Sequence, residues 1–245
     1  MTVDPDWIVP DWPAPARVKA LITTRAGGFS TGPYASLNLG SRTGDDADIV
    51  TRNRARLREV LPNEPRWLKQ VHGNKVVDAD APTTGVPEAD ACVARAPGTV
   101  CAVLVADCIP VLLSNRAGSV VAVAHAGWRG LAHGVIERAV EATGEPPDEL
   151  LAFLGPGIGP LAFEVDADVR NAFVSNAHQD TEAFAPHVPG KWLADLFMLA
   201  RHRLHRAGLS RISGGGLCTY THAERFFSYR RDRTTGRMAA LIWLE

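Results

Sequence analysis

Little in this chain is extreme, and each shortage closes a class of explanation. No apolar run is long: the best, residues 100–106, falls far short of the roughly 20 residues a membrane-spanning helix needs. Cysteines number four (Cys92, Cys101, Cys108 and Cys218) in 245 residues, too sparse for the disulfide framework of a small secreted domain. Reduced thiols follow, so Cys108 is available as a ligand or a nucleophile. Neither charge sign is in excess. A net charge of −1 gives no general attraction to nucleic acid or to an anionic membrane. Residues 1–15 lack the basic start and apolar stretch of a signal peptide, holding instead Asp4, Asp6, Asp11 and four prolines. The expectation is a cytoplasmic protein. There is no internal repeat and no low-complexity linker.

What is present is the composition of a soluble globular protein, 46% apolar and 22% charged. We expect an irregular N-terminal arm over residues 1–16 and a single domain over 17–245. Alternation at Val18, Ala20 and Ile22 predicts a strand over 17–24, leading into the glycine-rich stretch 24–32. A helix is expected over 47–61, stopped by Pro62, and a strand-like segment over 66–77. Valine-rich runs at 99–106 and 119–124 read as buried strands. Residues 130–143 have a helical period, with Gly144 as the C-cap. Further on, strands are expected at 150–154, 211–218 and 237–244, and helices at 166–175 and 192–207. The mixture lacks a regular βαβ rhythm, so the fold class is α+β, or mixed α/β, with layered sheets.

Three residues stand out as candidate metal ligands: His72 in Gln-Val-His-Gly, Cys108 in Ala-Asp-Cys-Ile-Pro, and His125 in His-Ala-Gly-Trp-Arg-Gly. Two imidazoles and a thiolate suit zinc, and a fourth position left open marks a catalytic rather than a structural site. No close-spaced pair joins them, so the spacing itself says little. Their placement says more. Cys108 ends one expected strand, with Pro110 read as the stop of regular structure, and His125 ends the next. Such ends meet at a sheet rim, where α/β proteins commonly place their sites. The plain alternative is a buried thiol and ordinary hydrogen-bonded histidines. His202 and His205 share a helical face; His133, His178, His187 and His222 have no partner visible in sequence.

Some features suit anions. Gly127-Trp128-Arg129-Gly130 opens a helix, where free N–H groups and Arg129 would attract phosphate or carboxylate. Residues 225–237 pack five arginines and three aromatics, suited to a nucleotide or equally to a solvated hairpin. The stretch from Thr24 to Gly28 lets backbone approach a ligand but lacks the Gly-Lys-Ser/Thr ending of a P-loop.

Together the stretches TTRAGGFSTGPYASLNLG, QVHG, EADACV, VADCIPVLL, AHAGWRGL, LGPGIGPLAFEV and FFSYRRDRTTGR span residues 23–237. They resemble the laccase-domain family, also called multicopper polyphenol oxidoreductase-like or peptidoglycan editing factor, of purine nucleoside phosphorylase type. The resemblance implies a layered α/β/β/α fold. It also implies a zinc held by His72, Cys108 and His125, the same residues serving catalysis. The implied chemistry is phosphorolysis of adenosine, inosine, guanosine and methylthioadenosine, with deamination of adenosine. The implied partners are a purine nucleoside and phosphate, with no nucleic acid, no membrane, and a monomer by default. One departure is Thr219-Tyr220-Thr221, where the family pattern has a second cysteine after Cys218.

Arg25, Asn38, Gln70, Asp107, Arg129 and Arg230 are the candidate substrate-binding or ligand-orienting residues. An alternative function is an amidase editing peptidoglycan precursors, with Cys108 as nucleophile and His125 as its base. A copper polyphenol oxidase is disfavoured, because eight histidines with no His-x-His pair do not make a trinuclear cluster. Copper remains a possible alternative occupant of the site. A closed, metal-stabilised binding domain would need a fourth protein ligand, for which Asp107 or another histidine is the candidate.

Overall fold

The computed structural model describes residues 4–175 and 177–245. Residues 1–3 of the expected N-terminal arm lie outside them. The first half contains β1 (Val18–Ile22), α1 (Ala47–Arg58), β2 (Val76–Asp78), β3 (Ala91–Ala94), β4 (Cys101–Val105), β5 (Ile109–Asn115), β6 (Val121–Ala126), α2 (Trp128–Ala132) and α3 (Val135–Thr143). The second contains β7 (Leu150–Leu154), β8 (Glu164–Asp166), α4 (Ala167–Val174), β9 (Phe184–Pro186), β10 (Lys191–Ala194), α5 (Leu196–Arg206), β11 (Arg211–Gly214), α6 (Tyr229–Asp232) and β12 (Met238–Leu244).

Side-chain alternation along the strands decides the layering. A six-stranded sheet runs in the order β11-β7-β5-β6-β3-β2, parallel at its two edges and antiparallel between. One face presents Val111, Leu113, Ala122 and Ala124 to the helical side chains of Ile136, Ala139, Leu199 and Leu204. The other face presents Leu112, Val121 and Val123 to Val103, Val105, Ala240 and Ile242 of a three-stranded sheet, β1-β12-β4. The far side of that smaller sheet buries Leu21, Ala102, Leu241 and Trp243 under Leu57 of α1, with Trp7, Leu37 and Leu39. The result is α/β/β/α, a mixed α+β fold. A separate small sheet, β8-β10-β9, lies beside α4.

Several boundaries differ from the sequence reading, each for a local reason. Pro110 does not end regular structure; it is the second residue of β5 and pairs with His125. Proline is tolerated there because the ladder with β7 begins only at Val111. The expected helix over 130–143 is two helices, broken at Gly134 in the left-handed region (φ 82°). The expected helix over 192–207 starts later: residues 191–194 are strand, and Asp195 caps α5 by accepting from the Met198 N–H. Residues 66–77 form isolated bridges at Arg66 and Lys69, then a turn at His72. The strand begun at Arg211 stops at Gly214 (φ 75°). Among the described residues no helix is long and apolar enough to cross a membrane.

Leu112 is fully buried between the two sheets. Leu112→Ala should cost about 2–5 kcal/mol of stability, since the stacked sheets cannot close around the void. Urea unfolding checks this; a loss below about 1 kcal/mol would mean the sheets are not tightly packed there.

Candidate metal centre

The chain leaves the small sheet at Val105 and enters the large one at Ile109, so residues 106–108 make the crossing. Asp107 takes φ 91° in this tight passage, a conformation that aspartate tolerates better than most residues. Cys108 therefore emerges at the start of β5. His125 lies near the end of the antiparallel neighbour β6, opposite Pro110. The two ligands meet at one rim, as expected, but through β5 rather than through the strand preceding Cys108. His72 arrives from a loop with φ 60°.

The ligand atoms of His72, Cys108 and His125 lie within 4.8 Å of one another. Cys108 Sγ stands 3.9 Å from His72 Nε2, and the two imidazole rings are 4.9 Å apart at 68°. Zinc–nitrogen and zinc–sulfur bonds of about 2.0–2.3 Å in a tetrahedron separate ligands by about 3.5 Å. The cluster fits that spacing with small adjustments. A Cβ on Gly127 would stand 2.7 Å from Cys108 Sγ and 3.1 Å from His72 Cδ2. Only glycine leaves the three donors room to converge. Among the described residues no fourth His, Cys, Asp or Glu joins the group. The donor set fits a metal with one open position.

A residue not singled out in the sequence organises the cluster. Asp90 is fully buried. Its carboxylate accepts from the backbone N–H groups of Val71, His72 and Gly73 at 3.1, 2.9 and 2.8 Å. Asp90 Oδ1 also meets His125 Nδ1 at 2.9 Å. That bond orients the His125 ring with Nε2 towards Cys108. Burial pushes the Asp90 carboxyl upward, but the bonds from His125 and from the loop N–H groups outweigh it and hold it below the usual range.

The same arrangement charges the thiol. Burial alone would raise Cys108, yet the neighbouring His125 charge and hydrogen bonds from both histidines bring it down to about 6. Burial likewise lowers His125, and the Cys108 thiolate with Asp90 reverses this and raises it to about 9. Without metal, the pair is a thiolate–imidazolium couple.

The cluster lines a cavity of about 650 Å³, a normal size for a small-molecule site. Six arginines and Lys69 line it against a single acid, Asp107. Trp67, Trp128, Phe163 and Tyr229 supply aromatic surface.

The profile of the family described as multi-copper polyphenol oxidoreductase laccase matches residues 19–245. The chain belongs to that family. Its relatives include a purine nucleoside phosphorylase of Pseudomonas aeruginosa, 52% identical over 240 residues and 98% of each chain. The purine nucleoside phosphorylase YfiH of Escherichia coli is 53% identical over 97% of this chain and 98% of its own. A solved structure of a Neisseria meningitidis protein superposes with a TM-score of 0.95 at 49% identity, over 98% of this chain and 99% of that one. YlmD of Geobacillus stearothermophilus matches with 0.84 at 34% identity, over 94% and 93%. These names support an enzyme within the family.

The expected substrate residues fall in two groups. Gln70, Asp107, Arg129 and Arg230 line the cavity. Gln70 exchanges two 2.8 Å bonds with the backbone of Leu104. Asp107 accepts from Thr219 Oγ1 at 2.6 Å and from the Arg230 N–H at 2.7 Å. Arg129 stacks on Trp128, and Arg230 donates to the Glu164 carbonyl. Arg25 and Asn38 stand behind the wall. Arg25 donates to the carbonyls of Ala35 and Ala223. Buried Asn38 bonds Thr43, Asp45 and the Arg237 N–H. The sequence reading missed Asp90, Arg42 and Arg54; it included Gly127, Arg233 and Arg237 only as members of the stretches 127–130 and 225–237. A signal existed for Asp90: an acid between Ala89 and Ala91 in an apolar run is costly to bury unless paired.

Asp90→Asn should weaken metal binding about 10–100-fold while leaving the far-ultraviolet spectrum unchanged. Competition with a chromophoric chelator measures it, and undiminished affinity would remove Asp90 from the site. In metal-free protein, alkylation of Cys108 should accelerate as pH rises through about 6, against about 8.5 for an ordinary thiol. A midpoint at the ordinary value would contradict the thiolate–imidazolium couple.

Proposed function

We propose that this chain is a zinc-dependent purine nucleoside phosphorylase acting on adenosine, inosine, guanosine and methylthioadenosine, with adenosine deaminase activity. The observation that carries the reading is an open His-Cys-His cluster on the wall of a cation-lined cavity. The names of the relatives point the same way. His72, Cys108 and His125 hold the zinc, which when bound supplies Lewis-acid chemistry at neutral pH.

The remaining roles belong to the chain itself. Arg129 and Arg230 bind phosphate, each held in place from behind by an aromatic ring, Trp128 or Phe163. Tyr229, half exposed, offers ring surface to a purine. Asp107 positions Arg230 through its backbone and does so beside Cys108. Gln70, tied to Leu104, keeps the His72 loop against the smaller sheet. Arg25 and Asn38 brace the wall. The protein works as a monomer in the cytoplasm, where thiols stay reduced and Cys108 remains available as a ligand.

A second reading has its own support. Asp90, His125 and Cys108 line up as orienting acid, base and nucleophile, the arrangement of a thiol amidase acting on peptidoglycan precursors. A metal on Cys108 occupies the same sulfur lone pairs, so the two chemistries exclude each other. Copper oxidation of phenols has less behind it. Among the described residues there is one ligand cluster. Met238 Sδ is buried against the Phe227 N–H at 3.1 Å and offers no axial ligand.

Cys108→Ala should lose stoichiometric zinc together with release of adenine and formation of inosine from adenosine. Product analysis with phosphate present checks this, and retained turnover would sink the assignment. Amidase activity that survives complete demetallation would transfer the assignment to the thiol reading.

A further inference from the structure

The candidate metal centre is open on one side. His125 is buried and Cys108 half-buried, but His72 is exposed. Two apolar side chains belong to that exposed side. Val71, which precedes His72, is 46% exposed, and Val86, which lines the cavity, is 58% exposed.

Such an opening matters for the proposed reaction. In phosphorolysis a phosphate oxygen bonds to C1′ of the ribose as the bond from C1′ to the base breaks. The products are ribose 1-phosphate and the base, which takes up a proton. Water attacking the same carbon gives free ribose and the same base. Transfer to phosphate in an aqueous solution therefore requires that water be kept from C1′ while the substrates are bound.

Residues 82–86 are placed to cover the opening. Both ends of this loop are pinned to the segment that carries His72. The Ala81 carbonyl accepts from Arg66 Nη2 at 3.1 Å, and the Pro87 carbonyl accepts from the Lys69 N–H at 2.8 Å. The Glu88 carboxylate meets Lys69 Nζ at 3.0 Å. Lys69 and Gln70 lead directly to Val71 and His72.

Between the pins the chain is held loosely. Residues 82–86 are all exposed, and among the described residues they make no hydrogen bond. A Cβ on Gly85 would meet no atom within 4 Å, so the loop stands clear of the body. Gly85 takes φ 80°. Pro82 and Pro87 bound the stretch with fixed φ. A segment with firm ends, little buried surface and no hydrogen bond to break costs little to move. Its tip already reaches the ligand space through Val86. A valine there covers apolar surface of a ligand and displaces water without binding it.

We propose that residues 82–86 form a lid on the His72 side of the cavity, and that Val86 closes on the bound nucleoside and gives phosphate precedence over water at C1′. The inference rests on the phosphorylase reading, and within it Val86 is a specificity-determining residue. Loops that close over bound substrate to exclude water are a general device of enzymes.

Hydrogen exchange and product analysis on zinc-loaded protein test the lid. The amides of residues 83–86 should exchange about tenfold or more slowly with saturating adenosine. Calorimetry on the same preparation establishes that adenosine is bound. Bound adenosine with unchanged exchange at 83–86 overturns the proposal, as does failure of adenosine to bind. With adenosine and phosphate together, Val86→Ser should raise the share of free ribose over ribose 1-phosphate about tenfold. Val86→Ile should keep the wild-type share. Circular dichroism confirms the fold of both variants, whose substitution is at an exposed position. A product ratio that Val86→Ser leaves unchanged overturns the role of Val86. Protection of 83–86 by adenosine with no release of adenine would remove the phosphorylase reading and leave the lid standing.

Discussion

The centre of this molecule depends on one buried carboxylate. Asp90 receives three backbone N–H groups from the loop carrying His72 and one ring N–H from His125. Its own backbone carbonyl accepts from the His125 N–H at 2.7 Å. A single side chain thus fixes the position of one ligand and the ring orientation of another. It can do so because it has no contact with water: every lone pair is committed to the protein, and each bond is stronger for the low local dielectric. The negative charge also makes His125 more basic, and His125 in turn draws the proton from Cys108. The fold therefore delivers a deprotonated sulfur within the candidate ligand cluster.

The layered fold supplies the remaining condition, which is that Cys108 and His125 share a rim. Two sheets stacked through Leu112, Val123, Val103 and Ala240 force the chain to cross between them after β4. The crossing is short, so Asp107 and Cys108 sit at the seam between the sheets. The cavity opens at that seam. One part of its wall comes from the turn at residues 40–43 and Arg237, another from α6 and the end of β6. Side chains from both ends of the chain meet there, as in the bond from Arg237 N–H to Asn38 Oδ1.

Charge is distributed just as unevenly. A protein of net charge −1 places seven cationic side chains and one acid around a single cavity. Such a concentration steers anions inward and holds them in competition with water. The acid, Asp107, has both oxygens engaged by Thr219 and the Arg230 backbone, so it braces the wall while the arginines face the ligand space.

The amino-acid sequence by itself determined the main buried strands, the α+β class, and the three candidate ligands in their unusual local motifs. Those features are local: alternation of valines, capping residues, and donor atoms of the right kind. The capping Gly144 and the helix of α1 were legible for the same reason. Tertiary structure decided what no window of sequence contains. It made Pro110 part of a strand, because the missing N–H falls where β7 is not yet paired. It split one expected helix at Gly134, whose positive φ is visible only once the chain must turn. It brought Asp90 beneath two histidines and gathered Arg42, Arg54 and Arg237 from remote segments around one cavity. Residue chemistry is written along the chain, but burial and convergence arise from packing between distant segments, and these set the charge and geometry of the site.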